Sequence, residues 1–184
     1  MNGTVTAALV AAVTTAAGWL VAHLLQMWRE DGKRRVEAKA AYVERQIHEL
    51  YGPLFSLTMQ IVVTNHVKYG LIENLKRTGA MNDIGKIEEL FAREYFLPLH
   101  NEVREILKSR LHLVEGNRLP DAFYEYLRSA TQERVQQTLW WQYSISTDMV
   151  KGRPYPDEFT FQVQETFESL LAKYDQLLAG LHPR

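Results

Sequence analysis

The sequence predicts an all-α protein, with one N-terminal transmembrane helix followed by a cytoplasmic bundle of about four or five helices. From Thr4 to Trp28 the only ionisable side chain is His23, which is typical of a membrane span. Beyond this stretch, apolar residues recur at intervals of three and four, the period of an amphipathic helix. No stretch of convincing length alternates with a period of two, so the pattern indicates no β-strand.

The predicted span covers residues 4–28, about 37 Å of helix at ~1.5 Å per residue, against a bilayer core of ~30 Å. A cleaved signal peptide is the alternative, but residues 1–3 carry no Lys or Arg and the apolar run is too long. Four basic residues follow the span, Arg29, Lys33, Arg34 and Arg35. By the positive-inside rule, we expect the C-terminal part in the cytoplasm and the N-terminus outside.

One face of the predicted span is small and polar, and the opposite face resembles lipid. At 100° per residue, the first face carries Thr4, Ala8, Ala11, Thr15, Gly18, Ala22 and Gln26. The opposite face carries Leu9, Val13, Leu20, Leu24 and Met27. Small residues let helix backbones approach closely, so this face predicts a homo-oligomer, unless lipid merely tolerates these residues. In a wide ring, His23 and Gln26 would lie near an aqueous lumen.

A basic juxtamembrane helix is predicted over residues 29–52, and the helical bundle over residues 53–184. The apolar stripe that joins them is Val36, Ala40, Val43, Ile47, Leu50 and Leu54. Pro53 should kink or break this helix, because proline lacks an N–H and its ring crowds the preceding turn.

The bundle helices follow from further apolar stripes and from the breaks between them. The stripes are Leu57, Ile61, Leu75; Ile87, Leu90, Phe91, Tyr95, Val103, Ile106, Leu107, Leu111; Phe123, Tyr126, Leu127, Ala130, Leu139; and Phe159, Val163, Phe167, Leu170, Tyr174, Leu177. Residues 78–83 form a predicted loop and Pro98 interrupts the next helix. Residues 116–117 end that helix, Pro120 begins another, and residues 152–156 are a further break.

Composition excludes several kinds of chemistry. The 184 residues include no cysteine, which excludes disulfides, thiolate metal sites and a cysteine nucleophile. With 21 basic and 22 acidic residues the net charge is −1, unlike that of a general nucleic-acid coat protein. The Glu44/His48 and His112/Glu115 pairs offer two ligands each, which is too few for a metal site. Since phosphate-loop, hydrolase-elbow and metalloprotease motifs are also missing, we predict no metal, no cofactor and no small-molecule substrate.

Two polar clusters interrupt the apolar pattern, at residues 64–66 (Thr-Asn-His) and residues 100–102 (His-Asn-Glu). Buried groups of this kind are more often satisfied by hydrogen bonds in a core than used in catalysis. We therefore interpret both clusters as hydrogen-bonded core groups.

Arg93 and His100 form the one pair with mechanistic interest. Six residues separate them, with Pro98 bending the chain between, which matches the loose arginine–histidine motif of the HEPN helical ribonucleases. In that family the pair meets at a dimer groove, where Arg stabilises phosphate charge and His transfers protons during attack by the RNA 2′-hydroxyl. Glu94 departs from the polar residue that usually follows the Arg. The alternative is a surface Arg and a His at a helix start.

The overall plan resembles small bacterial single-span membrane proteins with a HEPN-like helical cytoplasmic domain. The resemblance is carried by the span, the basic helix, residues 49–54 (Glu-Leu-Tyr-Gly-Pro-Leu) and residues 112–123. The same plan is similar to the membrane accessory protein that accompanies an RNA-guided nuclease in some CRISPR systems. The resemblance implies an oligomeric pore of the bacterial inner membrane that acts in antiphage defence, with an RNA-guided nuclease or RNA as partner.

Three functional hypotheses follow from these patterns. The first is a non-enzymatic membrane-anchored protein that homo-oligomerises and forms a pore. The second is a membrane-tethered HEPN-type ribonuclease or RNA-binding accessory that uses Arg93 and His100. The third is an adaptor that recruits a soluble partner through Trp140 and Trp141, although such residues are more often buried in a core than exposed at an interface.

Overall fold

The computed structural model describes residues 2–114, 119–145 and 155–181, with side chains described from residue 14 onward. All of its elements are helical, which confirms the predicted all-α class. The six α-helices are α1 (Asn2–Arg45), α2 (Gly52–Thr78), α3 (Ile84–Leu90), α4 (Leu97–Arg110), α5 (Asp121–Tyr143) and α6 (Asp157–Leu181). Two π-helical turns join them, Gln46–Tyr51 and Phe91–Phe96, and two short 3₁₀ turns are Met81–Asp83 and Leu111–Leu113.

Where the structure describes side chains, none of its helices combines the length and the apolar character that a bilayer crossing requires. Residues 4–13 of the predicted span lie outside the described side chains, and with them Thr4, Ala8 and Ala11 of the small face. Most of the predicted breaks at residues 116–117 and 152–156 also lie outside the described residues.

The chain divides into two compact units. One unit comprises residues 1–43 and 173–184, and the other comprises Glu44–Ala172. In the first unit, every side chain of α1 from residue 14 to residue 35 is exposed. The predicted boundaries after residues 28 and 52 stay predictions.

Each of the two π-helical turns ends two residues before a proline. Pro53 and Pro98 both occupy the first turn of the α-helix that follows. In the widened turns the N–H of Gly52 donates to the carbonyl of Ile47, and that of Leu97 to the carbonyl of Ala92. Because proline brings no N–H to the ladder, the extra residue lets the chain continue as a helix through both sites. The break predicted at Pro53 is therefore a π-helical turn.

The core of the second unit is built on stacked aromatic rings. Tyr126, Phe123 and Phe159 are fully buried, and the ring centroids of Tyr126 and Phe159 lie 4.1 Å apart. Phe123 packs edge-on against Phe159 at 5.0 Å, so α5 and the start of α6 share one aromatic layer. On the adjoining side, Leu50 and Leu54 are fully buried, as the predicted stripe requires. α4 contacts both α2 and α5 and so brings the three helices together.

The second π-helical turn moves the apolar stripe away from its predicted positions. The α-helical spacing from Phe91 predicts burial of Tyr95, but Tyr95 is 48% exposed and Phe96 is buried. A π-helical turn carries more residues than an α-helical turn, so the same face returns after five residues instead of four. The prediction for Tyr95 was therefore wrong by one residue, and those for Leu90 and Leu111, which are also exposed, were wrong too.

Candidate functional site

Polar side chains interrupt the core-facing stripe of α2 in the second unit. Ile61 and Ile72 of this stripe are buried, and at 100° per residue Asn65 and Lys68 fall on the same face between them. Both side chains are half-buried. A polar group on a core-facing position costs free energy unless it is hydrogen-bonded, so these two residues stand out from the rest of the stripe.

The same interruption occurs on the neighbouring helices. On α5, Glu133 and Gln137 continue the face that buries Phe123, Tyr126 and Ala130. On α4, His100 is buried on the face that also buries Val103. The polar positions of α2, α4 and α5 thus point to one level of the bundle.

These residues line a cavity of about 280 Å³, close to the lower end of the ~300–1,000 Å³ typical of small-molecule sites. Residues of α2, α4, α5, the second π-helical turn and the start of α6 all contribute to its wall. The lining residues are Ile61, Val62, Asn65, His66, Lys68, Phe96, His100, Glu133, Tyr155 and Asp157. All of them belong to the second unit.

His100 is held in place by a buried hydrogen bond. Its Nδ1 lies 2.8 Å from the hydroxyl oxygen of Tyr126. Burial, with a smaller contribution from the positive charge of Arg104, lowers the pKa of His100 to about 4. Burial also raises the pKa of Tyr126 far above its usual range, so both groups are neutral at pH 7.

The other ring nitrogen of His100 faces a carboxyl group. Nε2 lies 3.6 Å from Oε2 of Glu133, which is too long for a direct hydrogen bond. Oε1 of Glu133 accepts a hydrogen bond of 3.0 Å from the Gln137 amide. Burial raises the pKa of Glu133, and the positive charge of Lys68 partly opposes that rise. The carboxyl group is therefore partly desolvated, although the Glu133 side chain keeps 39% of its surface exposed.

Aromatic rings enclose the imidazole. The ring centroid of His100 lies 6.4 Å from Phe96, 5.7 Å from Tyr126 and 6.0 Å from Tyr155. Burial raises the pKa of Tyr155 to about 12, and its hydroxyl lies 3.0 Å from that of Thr160. Neutral rings of fixed orientation suit the binding of a small ligand better than proton transfer, because a His with a pKa of about 4 is poorly matched to acid–base chemistry at pH 7.

Arg93 does not join His100 in this cavity. Its side chain is 65% exposed, and Nε lies 3.4 Å from Oε1 of Glu94. Its guanidinium carbon lies 5.9 Å from the Trp141 ring centroid. Arg93 and Trp141 line a separate open groove of about 670 Å³, to which Arg134 also contributes. Within one chain, the two residues of the HEPN-like pair thus lie in different sites.

The described part of the predicted oligomer face is exposed on α1, namely Thr15, Gly18, Ala22, His23 and Gln26. The His23 ring stacks on Trp19, with centroids 5.4 Å apart and planes 1° from parallel. The Gln26 amide donates to Glu30 at 3.0 Å. The basic residues Arg29, Lys33, Arg34 and Arg35 are exposed as well, and Lys33 lies 3.7 Å from Glu37.

The polar clusters at residues 64–66 and 100–102 meet at the cavity, to which they contribute Asn65, His66 and His100. Sequence reasoning missed Lys68, Glu133 and other lining residues. Their signal was present, because Glu133 is a charged residue at a position where the α5 stripe calls for an apolar one. In the described residues, no group of three or more His, Asp or Glu side chains is placed to hold a metal ion.

Comparison with known proteins adds no assignment. The chain matches no protein-family model, no curated protein and no solved structure.

Proposed function

We propose that this chain is a membrane-anchored helical protein that self-associates through the N-terminal part of α1. The observation that carries the proposal is the exposure of large apolar side chains along one free-standing stretch of helix. These side chains are Trp19, Leu20, Val21, Leu24, Leu25, Met27 and Trp28. Trp28 is 77% exposed and Trp19 is 69% exposed, so neither is covered by the chain itself.

This exposure is costly in water. Burying a large apolar side chain stabilises by about 1.5–3 kcal/mol, so covering the whole set is worth on the order of 10 kcal/mol. The apolar run 4–28 has the length of a bilayer core, and the basic cluster from Arg29 to Arg35 follows it directly. Lipid is therefore the proposed cover for the face that carries Leu20 and Leu24.

The opposite face has the chemistry of a helix–helix contact. Thr15, Gly18 and Ala22 are small, and all three are exposed. In a membrane, small residues permit close backbone packing where large ones do not. A second copy of α1 is thus the proposed partner, in the bacterial inner membrane with the N-terminus outside.

The pore and the defence role rest on the family resemblance alone. On this basis we propose that the oligomer opens the bacterial inner membrane during phage infection, with RNA or an RNA-guided nuclease as partner. Leakage of an entrapped dye from liposomes that hold the purified chain is the expected result, and tight vesicles under all conditions would contradict the pore.

The ribonuclease alternative has less geometric support. His100 is hydrogen-bonded to Tyr126, its pKa is about 4, and Arg93 lines a different site. Loss of RNA cleavage in a His100→Ala variant would be needed to restore this hypothesis. An adaptor is the second candidate, because Trp140 is 53% exposed at the surface of α5 instead of lying in the core.

Self-association is tested by disulfide crosslinking in membranes, for which the absence of native cysteine is an advantage. We expect an Ala22→Cys variant to form covalent dimers under mild oxidation. A Leu24→Cys variant, whose native side chain is also exposed but lies on the opposite face, is the matched control and should form no covalent dimer. Equal crosslinking of both variants, or of neither, would contradict an interface on the small face.

A further inference from the structure

We infer that the cavity around His100 is a binding site for a small zwitterion, a molecule of the amino-acid class that carries both an ammonium group and a carboxylate. The inference is independent of membrane anchoring, because every lining residue belongs to the second unit. It rests on how charge is distributed over the cavity wall.

The α2 side of the cavity carries the positive charge of Lys68. Asn65, His66 and Lys68 all line it from this one helix. The Lys68 ammonium lies 5.1 Å from the centroid of the Phe96 ring and 4.8 Å from that of Tyr69. Among the described residues, no carboxylate forms an ion pair with Lys68, so its charge is available to an acidic group of a ligand.

Two carboxylates line the cavity from other helices. Glu133 from α5 and Asp157 from the first turn of α6 both line the cavity. One oxygen of Glu133 already accepts a hydrogen bond from Gln137, whereas in the described part of the chain the nearest polar group given for Oε2 is the Nε2 of His100 at 3.6 Å. A carboxylate held in a partly desolvated position gains most from a cationic donor, which a ligand ammonium supplies.

Lys68 and the two carboxylates line the same cavity, and within the described residues they form no ion pair with one another. Lys68 is close enough to Glu133 to oppose the rise in its pKa, yet in the described structure the two side chains form no ion pair. A ligand with charges of both signs would satisfy both sides at once. A simple amine would leave Lys68 uncompensated, and a simple acid would do the same to Glu133, so this arrangement favours the zwitterion.

Size and apolar contacts agree with this class. The cavity of about 280 Å³ suits a compact molecule. Phe96, Tyr155 and Ile61 also line it, and the carbon atoms of an amino acid would pack against them. The neutral His100, fixed by Tyr126, supplies a further polar atom of defined orientation.

The test uses the purified full-length chain in detergent micelles and isothermal titration calorimetry with each of the twenty common amino acids in turn. We expect at least one to bind with a Kd below about 1 mM. Its decarboxylated amine and its deaminated acid should each bind at least ~10-fold more weakly, because each lacks one of the two charge-assisted contacts. The absence of binding by all twenty, or an amine that binds as tightly as its parent amino acid, would overturn the inference.

Two variants assign the two ends of the ligand. Lys68→Met and Glu133→Gln should each weaken amino-acid binding at least ~10-fold, and in Lys68→Met the amine should bind as it does to the native chain. The matched controls are Lys76→Met, at an exposed position of the same helix, and Glu105→Gln, at an exposed position of α4. Both should bind the amino acid with a Kd within about twofold of that of the native chain. Melting curves show whether each variant folds. If Glu133→Gln fails to fold, Lys68→Met with the amine and acid pair still decides the outcome, since unchanged selectivity there would contradict the site.

Discussion

Gly52, at the junction of the first π-helical turn and α2, is the residue whose substitution tests the packing most sharply. A Cβ atom built on Gly52 would lie 2.6 Å from the carbonyl oxygen of Ile47 and 3.6 Å from the Phe167 ring. The first contact is far shorter than van der Waals distance, and its partner is backbone, which no rotamer change can move. Gly52→Ala must therefore deform the turn or the packing beside it.

Gly70 on the same helix provides the matched comparison. A Cβ there would meet nothing within 4 Å, and the position is exposed. Gly70→Ala should stabilise the chain by up to ~1 kcal/mol through helix propensity, whereas the clash at Gly52 should cost about 1–3 kcal/mol. The two free energies of unfolding should therefore differ by about 1–4 kcal/mol, which at ~2–4 °C per kcal/mol for a chain of this size separates the two melting temperatures by roughly 2–16 °C.

The assay is thermal unfolding followed by circular dichroism in one detergent for the native chain and both variants. Gly70→Ala should melt at or above the native temperature and Gly52→Ala clearly below it. If Gly52→Ala melted with the native chain or above it, the close approach of Gly52 to Ile47 would be wrong.

Two further predictions concern the second unit. Burial lowers the pKa of His100 from 6.5 to about 4, so the folded chain keeps the imidazole neutral where the unfolded chain protonates it. The contribution of His100 to the free energy of unfolding is therefore complete above pH 6.5 and is lost as the pH falls to 4. The loss should reach about 3 kcal/mol, and the raised pKa of Glu133 should reduce it. Urea denaturation across this pH range should show a shallower decline of the free energy of unfolding for His100→Gln than for the native chain. Equal declines for the two proteins would contradict the prediction. In the same denaturation assay, Phe96→Ala should lower the free energy of unfolding by about 3–5 kcal/mol and Tyr95→Ala by less than ~1 kcal/mol. The reverse order would refute the shift of the buried stripe by the π-helical turn.

Periodicity predicted the helices well where α-helical geometry is unbroken. Leu57 and Ile61 of α2, and Phe123, Tyr126 and Ala130 of α5, were all predicted as apolar stripe residues and are buried. The spacing of three and four residues depends only on the α-helical period, so the hydrophobic effect alone selects these positions.

The prediction failed where the period itself changes. Proline was read as a break, but at Pro53 and Pro98 the chain accommodates the missing N–H by inserting a π-helical turn. One inserted residue rotates the buried face, which is why Phe96 and not Tyr95 is buried. The sequence shows the proline but not which way the helix adapts, since that depends on packing against other elements.

The candidate site was predictable only in part. His100 and residues 64–66 were recognised as polar clusters, but each lies on a separate helix, and their meeting follows from tertiary packing. Glu133 was not predicted as a site residue, although the apolar stripe of α5 passes through its position. Charged residues that interrupt the apolar stripes of several helices indicate a shared site, but only when the stripes of those helices are compared with one another.

Membrane anchoring by α1 is tested most directly by labelling single cysteines in intact cells with a membrane-impermeant maleimide. Three variants report on the N-terminus, the predicted span and the second unit: Asn2→Cys, Ala22→Cys and Glu105→Cys. We expect Asn2→Cys to be labelled from outside, Glu105→Cys only after permeabilisation, and Ala22→Cys only after detergent removes the lipid. Labelling of Ala22→Cys as fast as Glu105→Cys once cells are opened, with the bilayer intact, would contradict the proposal.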